Sequence, residues 1–228
     1  MFHELTTKKI LRLYLILGFL LTYIITSAQK KIFEPGRKSE WYVYTSKGGK
    51  NNDSLKVFQF EKDVLHVSGA ETGYIATVKK YSNFHFTVEF KWGEKRYPPR
   101  ENQKRDAGIL YHVDFYSGDK VWPRSLEYQV QQGDCGDFWM TDSTTIIHAD
   151  TLTHPMKNLR VIKSKDAEKP YGEWNKAEVI VQNGNITHIL NGEIVNTGKL
   201  GNTKEGNILL QSEFAEVYYR NMRVEELK

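Results

Sequence analysis

The chain has 228 residues, with 32 basic against 28 acidic side chains and a formal charge of +4. So weak a positive excess argues against an electrostatic grip on nucleic acid, which needs a concentrated basic surface, and 39% hydrophobic with 13% aromatic residues excludes a disordered chain. A single cysteine, Cys135, excludes an intramolecular disulfide and reads as a small structural residue, so the fold rests on its core.

Residues 1–28 read as a targeting signal. Lys8, Lys9 and Arg12 precede an apolar run over 13–25, and Thr26-Ser27-Ala28 offers a small-residue cleavage site before Gln29. The run is shorter than the ~20 residues a membrane span needs; an uncleaved anchor is the alternative. No cysteine stands at the end of the signal, which argues against a lipoprotein. The expectation is a periplasmic or secreted protein with no stable membrane span once the signal is gone. What is left, 29–228, has the length of a single all-β domain.

Along that segment the period is two. Residues 57–67 read as a hairpin turning at Glu61-Lys62-Asp63, and 73–80 as a strand. In 84–92, Phe84, Phe86, Val88, Phe90 and Trp92 share one face and His85, Thr87, Glu89 and Lys91 the other. Five large apolar groups predict a buried inner side; Glu89 and Lys91 then lie outside the sheet or line a concave surface. The basic loop 93–106 reads as a lip over a site or a solvated connection. Strand 107–113 follows, with Ile109, Tyr111 and Val113 on one face and Gly108, Leu110 and His112 on the other.

The stretch 125–139 is the most informative. Leu126, Tyr128 and Val130 alternate with Glu127, Gln129 and Gln131, so one face is apolar and the other presents a carboxylate and two amides. A glycine-rich turn then carries Asp134, Asp137 and Trp139. Asn183-Gly184 and Asn191-Gly192 flank a short strand over 186–190, the hairpin signature of residues that need positive φ. No helix longer than a turn or two, no domain linker and no internal repeat is predicted. The reading is an antiparallel β-sandwich.

In this order the segments resemble the 3-keto-disaccharide hydrolase family. The likeness rests on Gly73-Tyr-Ile-Ala-Thr77, Tyr81-Ser-Asn-Phe84, Glu89-Phe-Lys91, Asp106-Ala-Gly-Ile109, Glu127-Tyr-Gln129, 169–175 (Lys-Pro-Tyr-Gly-Glu-Trp-Asn), Leu190-Asn-Gly192, Leu210-Gln211 and Tyr219-Arg-Asn221. Each motif is weak alone; in order and together they are specific. The resemblance implies a concanavalin A-like jelly roll with oligosaccharide or keto-sugar on its concave face, and it places Glu127, Gln129, Gln131, Glu89 and Lys91 there. Asp106-Ala107 departs from the family's Asn-Ser, and His112 stands where an arginine is common.

Retaining glycosidases need two carboxylates ~5–5.5 Å apart. The Glu127 strand offers one acid and two amides, unless Asp137 reaches in. A ketone at C3 lowers the requirement, because it acidifies the C2 proton; removing it expels the C1 substituent, and water adds to the enone. Such chemistry needs one base, a donor to the enolate oxygen and an acid for the leaving group. His112 or Glu127 is the expected base, Lys91 or Gln129 the oxyanion donor, and Asp137 or His148 the acid. Glu89, Gln131 and Trp139 are further sugar contacts, and Trp139 and Trp174 could stack on rings. No cofactor is certain; a divalent cation on His112, Glu127 and His148 would serve as an alternative electrophile. A non-catalytic carbohydrate-binding module, an envelope interaction protein and a conventional glycoside hydrolase of the same fold are the other readings.

Overall fold

The computed structural model of the protein describes residues 29–154 and 160–228; the expected targeting signal at 1–28 lies outside the described residues. Two antiparallel sheets face each other. A ten-stranded sheet runs, in spatial order, Thr151–Leu152, Ile146–His148, Glu193–Leu200, Asn185–Leu190, Asn175–Gln182, Phe84–Arg96, Ala215–Glu226, Val64–Val67 and Phe58–Glu61, with Lys30–Lys31 beside Ala215–Glu226. An eight-stranded sheet runs Arg160–Val161, Phe138–Thr141, Arg124–Gln131, Asp106–Asp114, Asn207–Ser212, Gly73–Thr77, Trp41–Thr45 and Gly49–Lys50. This is the all-β jelly-roll sandwich that the alternation predicts. Among the described residues there is no helix long and apolar enough to cross a membrane.

The core forms where the two apolar faces meet. Phe84, Phe86, Val88, Phe90 and Trp92 enter it from one sheet, and Leu126, Tyr128 and Val130 from the other. At roughly 1.5–3 kcal/mol per large apolar side chain buried, the first five alone contribute on the order of 10 kcal/mol before chain entropy. Both Asn-Gly pairs turn as the sequence requires: φ is +50° and +78° at Asn183 and Gly184, and +53° and +87° at Asn191 and Gly192. They string Asn175–Gln182, Asn185–Leu190 and Glu193–Leu200 into consecutive hairpins.

One strand breaks its own alternation. The pairing of Asp106–Asp114 with Arg124–Gln131 shifts register between Tyr111 and Asp114, and His112 takes a φ of +49°. The bulge reverses the phase. Val113 therefore joins Leu110 in the second apolar cluster of the molecule, while the His112 ring turns against Phe84 and Tyr111.

His188 is fully buried in the main core, its Nε2 3.0 Å from the Tyr111 hydroxyl and its Nδ1 3.0 Å from the Gly136 carbonyl oxygen. Burial depresses its pKa to about 3, with the Gly136 hydrogen bond opposing. Between that value and the ordinary 6.5 the unfolded chain binds the extra proton, so this contribution to stability is present above about 6.5 and lost as pH falls. In urea unfolding, the advantage of the wild type over His188→Gln is expected to shrink by roughly 2 kcal/mol between pH 7 and pH 4.5.

Candidate active site

Because Leu126, Tyr128 and Val130 point into the core, Glu127, Gln129 and Gln131 point off the sandwich. The strand register assembles a face around them. Glu127 lies opposite Leu110 on one side and Trp139 on the other, Gln129 opposite Gly108, and Gln131 opposite Asp106. Although this face is turned away from the second sheet, its polar groups are recessed: Asp106 is 3% exposed, Glu127 7%, Gln129 5% and Gln211 2%. Gly108 makes the room. A Cβ there would sit 2.2 Å from Glu127 Oε1 and 2.3 Å from Gln211 Oε1, so only glycine lets the two side chains cross the strand.

Asp106 is the hub. Gln129 Nε2 donates to its Oδ1 at 2.8 Å, and Gln131 Nε2 to its Oδ2 at 2.7 Å. Arg100, from the loop between Phe84–Arg96 and Asp106–Asp114, reaches over with Nη2 2.7 Å from Asp106 Oδ2 and 2.5 Å from Glu213 Oε1. The basic loop thus does cover the polar face. No hydrogen bond is made by the Glu127 carboxyl among the described residues, and Gln211 Oε1 and Trp139 Nε1 are buried without partners. One buried carboxyl, one orphaned acceptor and one orphaned donor on a single face suit a ligand rich in hydroxyl groups.

Three carboxyls share this recess with one guanidinium. Burial raises Glu127 well above the usual carboxylate range, and the charges of Glu213 and Asp106 push it further. Burial and then Glu213 raise Asp106, against the pull of Arg100; burial raises Glu213, again opposed by Arg100. Among the three, Glu127 alone receives no hydrogen bond from a cation or an amide of the described residues, so it is the group most easily kept protonated.

A family model described as the 3-keto-alpha-glucoside-1,2-lyase-like domain matches residues 29–225. The chain belongs to this family. It is similar in fold to two proteins from Parabacteroides distasonis ATCC 8503 assigned as glycosyl hydrolases. The first is 21% identical, with a TM-score of 0.57 over 83% of this chain and 90% of that one. The second is 17% identical, with a TM-score of 0.58 over 88% and 100%. A carbohydrate-binding module from Bacillus subtilis, 9% identical, shares the fold with a TM-score of 0.54 over 81% and 95%. No curated protein matches the sequence. The family places the chain among glycosyl hydrolase-like, carbohydrate-active domains.

Within this family member, the expected site residues separate into groups. Glu127, Gln129, Gln131 and Trp139 come together. His112 does not join them: its Nε2 lies 3.0 Å from the Ser82 carbonyl oxygen and its Nδ1 3.3 Å from Thr203 Oγ1, a consequence of the bulge, and burial lowers its pKa. Glu89 and Lys91 are on the outer face of the other sheet, because Val88, Phe90 and Trp92 beside them fill the core. Arg220 Nε and Asn221 Nδ2 each donate to Glu89 at 2.8 Å. Lys91 Nζ lies 5.2 Å from the Trp174 ring centroid, which removes Trp174 from the recess as well.

Asp137 is buried and consumed by Arg160, whose Nε is 2.6 Å from Oδ2, and by the Lys163 amide 2.7 Å from Oδ1. His148 is on a short strand near the edge of the ten-stranded sheet, with Nδ1 3.0 Å from the Thr197 carbonyl oxygen. The cation set of His112, Glu127 and His148 is therefore not assembled, and among the described residues no three His, Cys, Asp or Glu side chains cluster to hold a metal. Cys135 is buried with its Sγ 3.2 Å from the Gln131 carbonyl oxygen, as a structural residue would be.

A carboxyl with a raised folded pKa costs stability as pH climbs from its unfolded value toward its folded one. Glu127→Gln, neutral and of the same shape, is expected to raise the melting temperature at pH 8 by at least roughly 2–4 °C, with the gain fading toward pH 4. Calorimetry across that range checks it.

Proposed function

We propose that the chain cleaves glycosides carrying a ketone at C3, by elimination across C1 and C2 followed by hydration. The base takes the C2 proton; the C–H electron pair forms the enolate, which re-forms the ketone as the C1–O bond breaks and a C1=C2 double bond appears. The departing oxygen takes up a proton. Water then adds at C1 and a proton returns to C2, so the net change is hydrolysis. The reading also includes export to the periplasm or medium, which rests on the sequence of residues 1–28.

One observation carries the proposal: Glu127 is recessed, accepts no hydrogen bond from the described residues, and stands among acids that raise its proton affinity. An ionised carboxylate so placed is a stronger base than one in water. Arg100 is the positive charge that lets one of the three acids ionise, and it lies beside the place where enolate charge would develop. Glu127, protonated by the C2 hydrogen it has taken, is the candidate to pass that proton to the leaving oxygen, while Asp106 accepts from Gln129, Gln131 and Arg100 and fixes them beside it. The family description, a 3-keto-alpha-glucoside-1,2-lyase-like domain, supports this reaction class.

Purified protein incubated with nitrophenyl 3-keto-α-glucoside and with 3-keto-trehalose is expected to release nitrophenol and glucose, and to leave the unoxidised glucosides intact. Glu127→Gln should retain the circular dichroism spectrum and lose roughly 10²–10⁴ in rate. Wild-type turnover should fall as pH drops through an ionisation above the ordinary carboxylate range, since the base must be charged. Cleavage of unoxidised glucosides would make the chain a conventional glycosidase, and sugar binding without turnover a binding module; either result overturns the proposal.

A further inference from the structure

The Trp41–Thr45 strand has two faces. Tyr42 packs with Tyr74, Leu110 and Leu209 on the side of the acids, while Trp41 and Val43 turn toward the space between the sheets. There they meet Phe58 and Phe60 from the edge strand of the ten-stranded sheet, and the sandwich stands open. The result is a groove of about 710 Å³, within the roughly 300–1,000 Å³ of small-ligand clefts. It is separated from the acid recess by the strand itself. The Trp41 and Phe60 rings lie 5.5 Å apart at its wall.

The hydrogen-bonding capacity left in the groove is one-sided. Asp53 is the only acid among its lining residues, and both its oxygens are taken by the amides of Val57 and Phe58, at 2.7 and 2.8 Å. Asn51 Oδ1 accepts from the Val43 amide at 3.3 Å, which leaves its NH₂ group. Lys38 and Lys56, both exposed, have no carboxylate partner among the described residues. Apart from the Gln59 amide, which can also accept, the free side-chain groups among the described lining residues are donors, and two of them are positively charged. An aromatic wall beside a fringe of donors matches a sugar ring, whose C–H face is apolar and whose rim is oxygen; the charge asks for an anionic one.

We infer that this groove binds an acidic oligosaccharide, with uronate or sulfated sugar units, at a site distinct from the acid recess. The inference stands apart from the proposed reaction, since neither lysine belongs to the recess.

Calorimetric titration of the protein with trigalacturonate, a sulfated disaccharide, cellotriose and free sulfate tests it. One or both acidic saccharides should bind, more weakly at high salt, and which one binds tells uronate from sulfate ester. Cellotriose and sulfate should not match them. The double variant Lys38→Glu/Lys56→Glu, altered only at exposed positions, should lose at least about tenfold in affinity, about 1.4 kcal/mol, with its melting temperature and its turnover of a 3-keto-glucoside unchanged. Equal affinity for cellotriose, competition by sulfate alone, binding that survives the charge reversal, or no binding of either acidic saccharide would each overturn it.

Discussion

Asp106, Glu127 and Glu213 occupy a recess that water hardly reaches, with Arg100 as their one cationic partner among the described residues, and that imbalance constrains everything around it. Separated from water, three carboxylates cannot all be charged beside one guanidinium. The protein resolves the conflict unequally. Asp106 receives two amide donors and half of an arginine, Glu213 the other half, and Glu127 nothing. The acid left without support is the one in the middle of the face, where the register sets it between Leu110 and Trp139.

This arrangement is local chemistry on a rigid frame. Glu127 can stand in a recess because the alternate residues of its strand are locked into the core, and because Gly108 leaves no side chain in its way. The apolar residues flanking it on the same face, Leu110 and Leu209, belong to a second cluster with Tyr42, Tyr74 and Phe115. Asp119 ties that cluster together, accepting from the Tyr42 and Tyr74 hydroxyls at 2.9 and 2.8 Å. Half of the face is thus covered by the chain's own loop, and the polar half is covered by Arg100.

Period two was enough to read the sandwich, both Asn-Gly hairpins and the polar row of Glu127, Gln129 and Gln131, because each depends on neighbours in sequence. It failed wherever geometry departed from that period or depended on distant strands. Alternation puts His112 on the polar face because nothing local marks a bulge; its left-handed backbone turns the ring the other way. Glu89 and Lys91 were given the right side of their own strand, but alternation cannot say on which sheet that side lies. Arg100 and Glu213 are not marked by period two, because their role arises from long-range pairing. Glu213 left a trace, since it continues the alternation of Leu209 and Gln211; Arg100 left none beyond a basic loop. Asp106 was noticed only as a departure from the family motif, and it proves to be the residue on which both amides converge.

The account turns on proton transfer at C2 by Glu127. A 3-keto-C-glucoside, which has no oxygen to expel at C1, isolates that step: in D₂O its C2 proton can be followed by NMR without any cleavage. The account predicts that the wild-type protein accelerates exchange of this proton for deuterium and that Glu127→Gln does not. Exchange at the buffer rate with the wild type, or equal acceleration by the variant, would contradict it.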